Sequence, residues 1–220
     1  MKSELFHTAL HEKAEADLLR FLNSYGSFLS AEAASSTRAV GDSVEEILSQ
    51  HFCDILGEQI KDYSADFARR AMADLAFTDK AGCYYRVDVK THRLDTRFNM
   101  PNLTSAERLC RFYEDDRNFF VILMVAYAID GTHFEAREVH FVPIEFLAWD
   151  CLTIGALGWG QIQIANSNRI VVQPTSRKAW MLQLCDTMRE FYEEEINKIT
   201  TRRIGYFEKV KQQWLQKSDD

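Results

Sequence analysis

A nearly continuous apolar run decides the fold class of this chain: Asn118-Phe119-Phe120-Val121-Ile122-Leu123-Met124-Val125-Ala126-Tyr127-Ala128-Ile129. A run this rich in Phe, Val and Ile is typical of a strand buried on both faces at the centre of a mixed sheet. Asp130-Gly131 follows as a strong turn signal. The sequence therefore predicts a hairpin whose second strand covers about 134–142 and ends at Pro143.

A second strand is predicted upstream, in Cys83-Tyr84-Tyr85-Arg86-Val87-Asp88-Val89-Lys90-Thr91. Alternate residues of a strand point to the same face, so Asp88 and Lys90 project together while Val87 and Val89 point into a core. Asp74 lies in another apolar run, near 73–78, with the turn-like Thr78-Asp79-Lys80-Ala81-Gly82 between the two. Antiparallel strands near 73–78 and 83–90 would bring Asp74 beside Asp88.

The resulting Asp…Asp-x-Lys pattern suits a divalent metal with a bound water beside a phosphodiester. Mg²⁺ prefers oxygen ligands and keeps several waters, so one or two carboxylates with phosphate oxygens suffice. Asp-x-Lys also occurs by chance, usually on a solvated strand face, and the pattern alone leaves both interpretations open.

Helices are predicted over about 3–29, 43–61, 104–114 and 176–217, with Thr104 or Ser105 as the cap of the third. Residues 92–101 are predicted as a polar loop and 144–152 as a short helix. A glycine-containing loop then precedes a strand at Gln161-Ile162-Gln163-Ile164; it is no phosphate loop, because the Lys-Ser/Thr and the following helix are missing. The last helix has an apolar face of nine residues: Leu182, Met188, Phe191, Tyr192, Ile196, Ile199, Ile204, Phe207 and Val210.

Length and composition favour a single domain over 1–220: a helical part (1–62), a core (63–175) and a C-terminal helix (176–217). The apolar runs are too short to span a membrane, the N-terminus lacks a signal-peptide pattern, and five scattered cysteines fit a reduced cytoplasmic protein. The net charge of −7 counts against DNA binding by bulk charge. Basic residues nevertheless cluster around the candidate centre: Lys80, Arg86, Lys90, His92, Arg93 and Arg97.

The order of elements resembles the PD-(D/E)xK nuclease fold, an α/β (α+β) fold in which helices, including long N- and C-terminal ones, flank a mixed sheet. Within it the chain is most similar to type II restriction endonucleases of the HincII/EcoRV-like branch. Four stretches carry the likeness: Val87-Asp88-Val89-Lys90-Thr91, Pro101-Asn102-Leu103-Thr104-Ser105-Ala106, Gln161-Ile162-Gln163-Ile164 and Ser176-Arg177-Lys178-Ala179-Trp180. The family's proline before the first Asp is replaced by Ala73.

The resemblance implies a Mg²⁺ site held by Asp74, Asp88 and the backbone carbonyl of Val89. Lys90 would position or deprotonate the attacking water, and Glu45 on the early helix would support the site. Glu45 has a strong alternative interpretation, because charged residues on helix surfaces are usually only solvated. The resemblance further implies a homodimer that cuts double-stranded DNA at a short palindrome, with blunt ends, 5′-phosphates and 3′-hydroxyls. The N-terminal helices would form the dimer interface, and a cognate DNA methyltransferase, not physically bound, would belong to the same system.

Amide side chains suit adenine and basic side chains suit guanine in a DNA groove. Several polar residues are therefore candidate DNA contacts: Asn102, Gln161, Gln163, Asn166, Asn168, His92, Arg93 and Arg97. Asn102 has the alternative of capping the following helix, and Gln161 and Gln163 that of a solvated strand face. Met100 is a candidate wedge between bases, although packing in the core is the favoured interpretation.

Two other functions fit the same sequence. Another nuclease of this fold, acting on DNA structure or in repair, would share the metal site without a fixed recognition sequence. A DNA-binding or helical interaction protein without catalysis would need no metal.

Overall fold

The computed structural model describes residues 3–63, 73–96, 100–165 and 170–218. Its α-helices are α1 (Glu4–His7), α2 (Leu10–Ser24), α3 (Ala31–Ala34), α4 (Thr37–Leu56), α5 (Ala106–Phe112), α6 (Arg177–Lys198) and α7 (Ile204–Leu215). Its strands are β1 (Ile60–Tyr63), β2 (Leu75–Asp79), β3 (Tyr84–Arg93), β4 (Asn102–Ser105), β5 (Asn118–Asp130), β6 (His133–Pro143), β7 (Leu152–Gly155) and β8 (Gln161–Ile164). Short 3-10 helices cover Gly57–Gln59, Ile144–Phe146 and Trp149–Cys151.

The larger sheet has five strands in the order β1-β2-β3-β5-β6. β3 and β5 run parallel, with Asp88 opposite Ile122, and the other neighbours are antiparallel. The sheet is therefore mixed, and the prediction that β5 is buried on both faces is confirmed, since the nine residues from Phe119 to Tyr127 are all buried. The predicted hairpin is also confirmed: Asp130 pairs with His133, and Gly131 adopts the left-handed φ of +61° that such a turn requires.

A smaller antiparallel sheet has the strand order β4-β8-β7. Of its three strands, the sequence predicts only β8. β4 lies where the sequence predicts the start of a helix. That helix begins only at Ala106, with Ser105 as its N-cap: the Ser105 hydroxyl accepts a hydrogen bond from the Arg108 N–H at 3.1 Å. The prediction of Ser105 as a cap is confirmed, and the alternative that Asn102 caps this helix is wrong.

Three predicted boundaries are wrong. The helix expected over 3–29 is broken between α1 and α2. The helix expected from residue 43 begins at Thr37, because Ser36 caps it by accepting a hydrogen bond from the Ala39 N–H at 3.3 Å. β3 extends to Arg93, so His92 lies in the strand and not in a loop.

The N-terminal helices cover the larger sheet. Leu18 and Leu22 of α2 and Phe52 of α4 are fully buried. Polar contacts fix α2 to the β6 backbone: Glu15 accepts a hydrogen bond from the Phe141 N–H at 2.7 Å, and Asn23 donates to the Ala136 carbonyl at 3.0 Å. The apolar faces of α2 and α4 therefore contribute to the core of their own chain.

The predicted long C-terminal helix is confirmed. α6 continues through a π turn, Ile199–Arg203, directly into α7. Its first turns are anchored, because Trp180 is buried and its indole N–H donates to the Leu147 carbonyl at 3.0 Å. Within the ranges that the structure describes, no helix combines the length and apolar character needed to span a membrane.

Candidate active site

Asp88 and Lys90 lie on one face of β3, as predicted. Val87 and Val89 are buried on the opposite face, while the Asp88 and Lys90 side chains are 14% and 22% exposed. The Lys90 ammonium nitrogen is 2.8 Å from the Asp88 Oδ2 atom, and it also donates to the Val89 carbonyl at 3.3 Å. A carboxylate and an ammonium group are therefore held side by side at the rim of the core.

Asp74 lies next to this pair, just before the first residue of β2. β2 and β3 are antiparallel, with Leu75 opposite Val87. The Asp74 N–H donates to the Val87 carbonyl at 3.2 Å, and its Oδ2 atom accepts a hydrogen bond from the Val89 N–H at 2.6 Å. These two bonds continue the strand pairing by one residue and confirm the expectation that the hairpin brings Asp74 beside Asp88.

Glu45 approaches the same place from α4. Burial raises the pKa of the Glu45 carboxyl, the carboxylates of Asp74 and Asp42 raise it further, and Lys90 opposes them. Glu45 therefore lies within electrostatic range of Asp74 and Lys90. Direct contacts group Asp74, Asp88 and Lys90 at β3, whereas Glu45, the fourth residue predicted to be catalytic, acts on the site through its charge.

The electrostatics of Asp88 are dominated by burial. Burial raises the pKa of the Asp88 carboxyl to about 7, Lys90 opposes the rise, and Asp74 and Glu45 add to it. Asp88 Oδ2 has no hydrogen-bond partner within the described part of the chain, although the Lys90 nitrogen is 2.8 Å away. The contact is an ion pair, and a single ammonium group does not use both lone pairs of the oxygen. Oδ2 is therefore an oxygen with unused capacity to accept.

The donor set fits a hard divalent cation in its chemistry. Asp74 and Asp88 supply carboxylate oxygens, and the Val89 carbonyl directly follows Asp88 in the chain. Among the described residues no three His, Cys, Asp or Glu side chains form a group that could hold a metal ion. A magnesium site that is completed by a backbone carbonyl, water and phosphate needs fewer than three such side chains. The lack of a three-residue group among the described residues is therefore weak evidence either way.

The basic residues predicted around the site are not all available to a ligand. His92 is 6% exposed, which counts against the predicted DNA contact. Arg93 is bound by both Asp95 carboxylate oxygens, at 2.7 and 3.1 Å, and by the Ala34 carbonyl. Arg97 lies outside the described residues.

Arg86 was not predicted as a site residue, although it shares the face of Asp88 and Lys90 at a spacing of two. Its guanidinium lies 4.5 Å from the Phe112 ring centre, and its Nε atom is buried with no hydrogen-bond partner within the described ranges. The signal in the sequence was the alternation Arg86-Val87-Asp88-Val89-Lys90, which places three charged residues on one strand face.

The candidate recognition residues meet on the smaller sheet. Gln161 and Gln163 share one face of β8 while Ile162 and Ile164 are buried, as predicted. β4 pairs with β8, and the Gln163 amide donates to the Asn102 side-chain oxygen. Asn166 and Asn168 lie outside the described residues. Met100 is 50% exposed, so the core-packing interpretation is wrong and the wedge interpretation stays a prediction.

A small cavity joins the two sheets. It measures about 160 Å³, and its lining includes Arg86 of β3, Ser105 of β4, Arg108 of α5 and Gln161 of β8. The charged face of β3 and the amide face of the smaller sheet therefore lie next to each other. No family model matches this chain, and no curated protein sequence matches it.

Proposed function

We propose that this protein is a Mg²⁺-dependent endonuclease that hydrolyses phosphodiester bonds of double-stranded DNA. The single observation that carries the proposal is the meeting of Asp74, Asp88 and Lys90 at the junction of β2 and β3, with an Asp88 oxygen that lacks a hydrogen bond among the described residues. Glu45 adds a third carboxylate from α4.

In this proposal Asp74, Asp88 and the Val89 carbonyl hold the metal ion. Bound Mg²⁺ supplies a water of lowered pKa and offsets the negative charge of the phosphate. Lys90 would hold that water through its ammonium group and would stabilise the charge that develops on the phosphate oxygens. The hydrogen bond from the Val89 N–H fixes the Asp74 carboxylate before the ion arrives.

The bond changes follow from this arrangement. The water oxygen forms a bond to phosphorus and loses a proton to solvent, and the bond between phosphorus and the 3′-oxygen breaks. The 3′-oxygen takes up a proton, so the products carry a 5′-phosphate and a 3′-hydroxyl. Glu45 supports the site by adding negative charge beside Asp74.

We further propose a type II restriction endonuclease, a cytoplasmic homodimer that reads a short palindrome and leaves blunt ends. Support comes from the Asn102–Gln163 amide pair and from Gln161 on the same sheet face, because amides can donate to and accept from base edges. A two-fold dimer matches a palindrome and presents one centre to each strand. A cognate methyltransferase would protect the host sites.

The test is cleavage of unmethylated phage DNA with Mg²⁺ by the wild type and two lysine variants. Lys90→Ala removes the lysine beside Asp88. Lys80→Ala is the matched control, because Lys80 lies in the β2–β3 turn, is 67% exposed and contacts only Glu58 among the described ion pairs. Discrete bands from the wild type and Lys80→Ala, with loss of at least about 100-fold in rate for Lys90→Ala, are expected. If the wild type degrades DNA from its ends and gives no fixed bands, the protein is a structure-specific nuclease and not a restriction endonuclease. If the wild type leaves the DNA uncut, the nuclease proposal is refuted.

A further inference from the structure

The C-terminal half of the long helix exposes an unusual amount of apolar surface. Most of the large apolar side chains that the described residues expose lie between Leu182 and Leu215. Ile196 is 61% exposed, Phe207 67% and Trp214 64%. Exposed apolar residues are ordinary when scattered, but a contiguous patch marks an interaction surface.

The exposed side chains form one stripe, and the π turn keeps them aligned. In a regular α-helix, residues five positions apart are rotated by about 140° around the axis. Here the Ile204 N–H donates to the Ile199 carbonyl, the i to i+5 bond of a π turn, which stacks these residues on one side. We name as the C-terminal stripe the apolar residues that follow this face: Tyr192, Ile196, Ile199, Ile204, Phe207, Val210 and Trp214.

The charges along the helix change sign from one end of the stripe to the other. The first part, over 186–198, is mainly acidic, with Asp186, Glu190, Glu193, Glu194 and Glu195 against Arg189 and Lys198. Lys198 pairs with Glu194 and Glu195 of its own chain. The second part, over 202–217, is mainly basic, with Arg202, Arg203, Lys209, Lys211 and Lys217 against the acidic Glu208. Such a helix is complementary to a second copy of itself in antiparallel orientation, and not in parallel orientation, where like charges would meet.

We propose that the C-terminal stripe binds the same stripe of a second copy of this chain, antiparallel, with the two-fold axis near Ile204. This alignment places Tyr192 opposite Trp214 and Ile199 opposite Phe207. It also places Lys211 of the second copy beside Glu195, which is 14% exposed and pairs with Lys198 and Arg203 of its own chain at 3.1 and 3.3 Å. A homodimer is already part of the proposed function; the new element is its interface, and this assignment holds whether or not the chain cuts DNA. The interface lies on the C-terminal helix instead of the N-terminal helices, whose apolar faces pack in their own chain.

The area is sufficient for a specific dimer. From Tyr192 to Trp214 the stripe is about 33 Å long. Covering its exposed aromatic and aliphatic side chains would bury roughly 600 Å² per copy, or about 1,200 Å² in total, which reaches the range of specific interfaces. Tyr192 of the stripe donates a hydrogen bond to the Trp159 carbonyl at 2.6 Å, so one end of the contact lies beside the loop that precedes β8.

The first experiment measures mass by sedimentation equilibrium on the full chain from 1 to 100 µM (about the range in which such a dimer dissociates). The wild type is expected at twice the 25.5 kDa of one chain. Ile204→Glu with Phe207→Glu should raise the dimer Kd by at least about 100-fold, because it buries carboxylates without partners. The matched control, Tyr206→Glu with Gln213→Glu, adds the same charges beside the stripe and should stay dimeric.

Circular dichroism must show the same helix content for both variants, since the changed side chains are exposed in the single chain. A monomeric wild type at 100 µM would overturn the proposal, even if the chain instead bound lipid vesicles or another protein. If Ile204→Glu with Phe207→Glu remains dimeric, the proposal is also overturned. The N-terminal helices would then be the candidate interface.

The second experiment tests the antiparallel orientation. Lys211→Glu places a new carboxylate beside Glu195 of the second copy, at two symmetric positions, and should weaken the dimer by about tenfold. Glu195→Lys alone measures the loss of the pairs with Lys198 and Arg203 in its own chain. Adding Lys211→Glu to Glu195→Lys restores opposite charges across the interface and should tighten the dimer relative to Glu195→Lys alone. A double variant that is no tighter than Glu195→Lys would refute the antiparallel pairing.

Discussion

The ionised Asp88 carboxylate should destabilise the protein when magnesium is removed, so Asp88→Asn should stabilise it. The pKa of Asp88 is raised from 3.8 to about 7 by burial, with help from Asp74 and Glu45 and against the attraction of Lys90. At about 1.4 kcal/mol per pKa unit, ionisation lowers the free energy of unfolding by about 4 kcal/mol at most. The amide of asparagine has nearly the same size and avoids this cost.

The sign of the pH dependence follows from the direction of the shift. A carboxyl whose pKa is raised on folding contributes its stability fully below 3.8 and loses it as the pH rises through about 7. The gain from Asp88→Asn should therefore be small at pH 4 and largest at pH 8. A gain of between about 1 and 4 kcal/mol corresponds to a rise of several degrees in Tm for a chain of this size.

The assay is urea unfolding at pH 4, 6 and 8 with EDTA, followed by the same series with Mg²⁺. Magnesium should stabilise the wild type, since a ligand of the folded state adds to the free energy of unfolding, and should stabilise Asp88→Asn much less. Asp95→Asn is the control, because this exposed carboxylate pairs with Arg93 and its pKa is lowered. A variant that is less stable than the wild type at pH 8 in EDTA would refute the reasoning about burial.

Two further predictions concern the neighbouring polar contacts. Arg177→Met should lower the free energy of unfolding by about 3 kcal/mol in urea titrations, because it leaves the buried Glu145 carboxylate without the cation 2.9 Å away; a loss below about 1 kcal/mol would contradict it. Asn102→Ala and Gln163→Leu should each weaken binding to the DNA recognition sequence by about 1–3 kcal/mol, measured by competition against random DNA. The free energy of unfolding should be nearly unchanged. If each variant loses as much affinity for random DNA as for the recognition sequence, Asn102 and Gln163 do not read bases.

The strand faces could be predicted because burial alternates with a period of two. Asp88 and Lys90 share a face for that reason, and the turn at Gly82 returns the chain so that Asp74 reaches the Val89 N–H. β4 was not predicted because four residues with a polar first position give too short a pattern, and the Ser105 cap follows immediately. Its pairing with β8 is set by contacts distant in sequence, which a local pattern does not contain.

The C-terminal helix shows a second limit of prediction from sequence. Periodicity predicts that one face is apolar, and that prediction is correct, but it does not say what covers the face. Trp180 is buried in the chain's own core, whereas Phe207 on the same helix is exposed. His92 shows the opposite case. It is polar and has charged neighbours in sequence, so local pattern predicts exposure, but it lies in β3 and is buried.

The central claim is that the Asp74, Asp88 and Lys90 cluster cuts DNA with magnesium. The most direct measurement is sequencing of the ends produced when the wild-type protein digests an unmethylated genome with Mg²⁺, with an EDTA digest alongside. The account predicts ends with a 5′-phosphate at one short palindrome, absent in EDTA and absent with Lys90→Ala. Intact DNA with Mg²⁺, or ends that persist unchanged in EDTA, would contradict it.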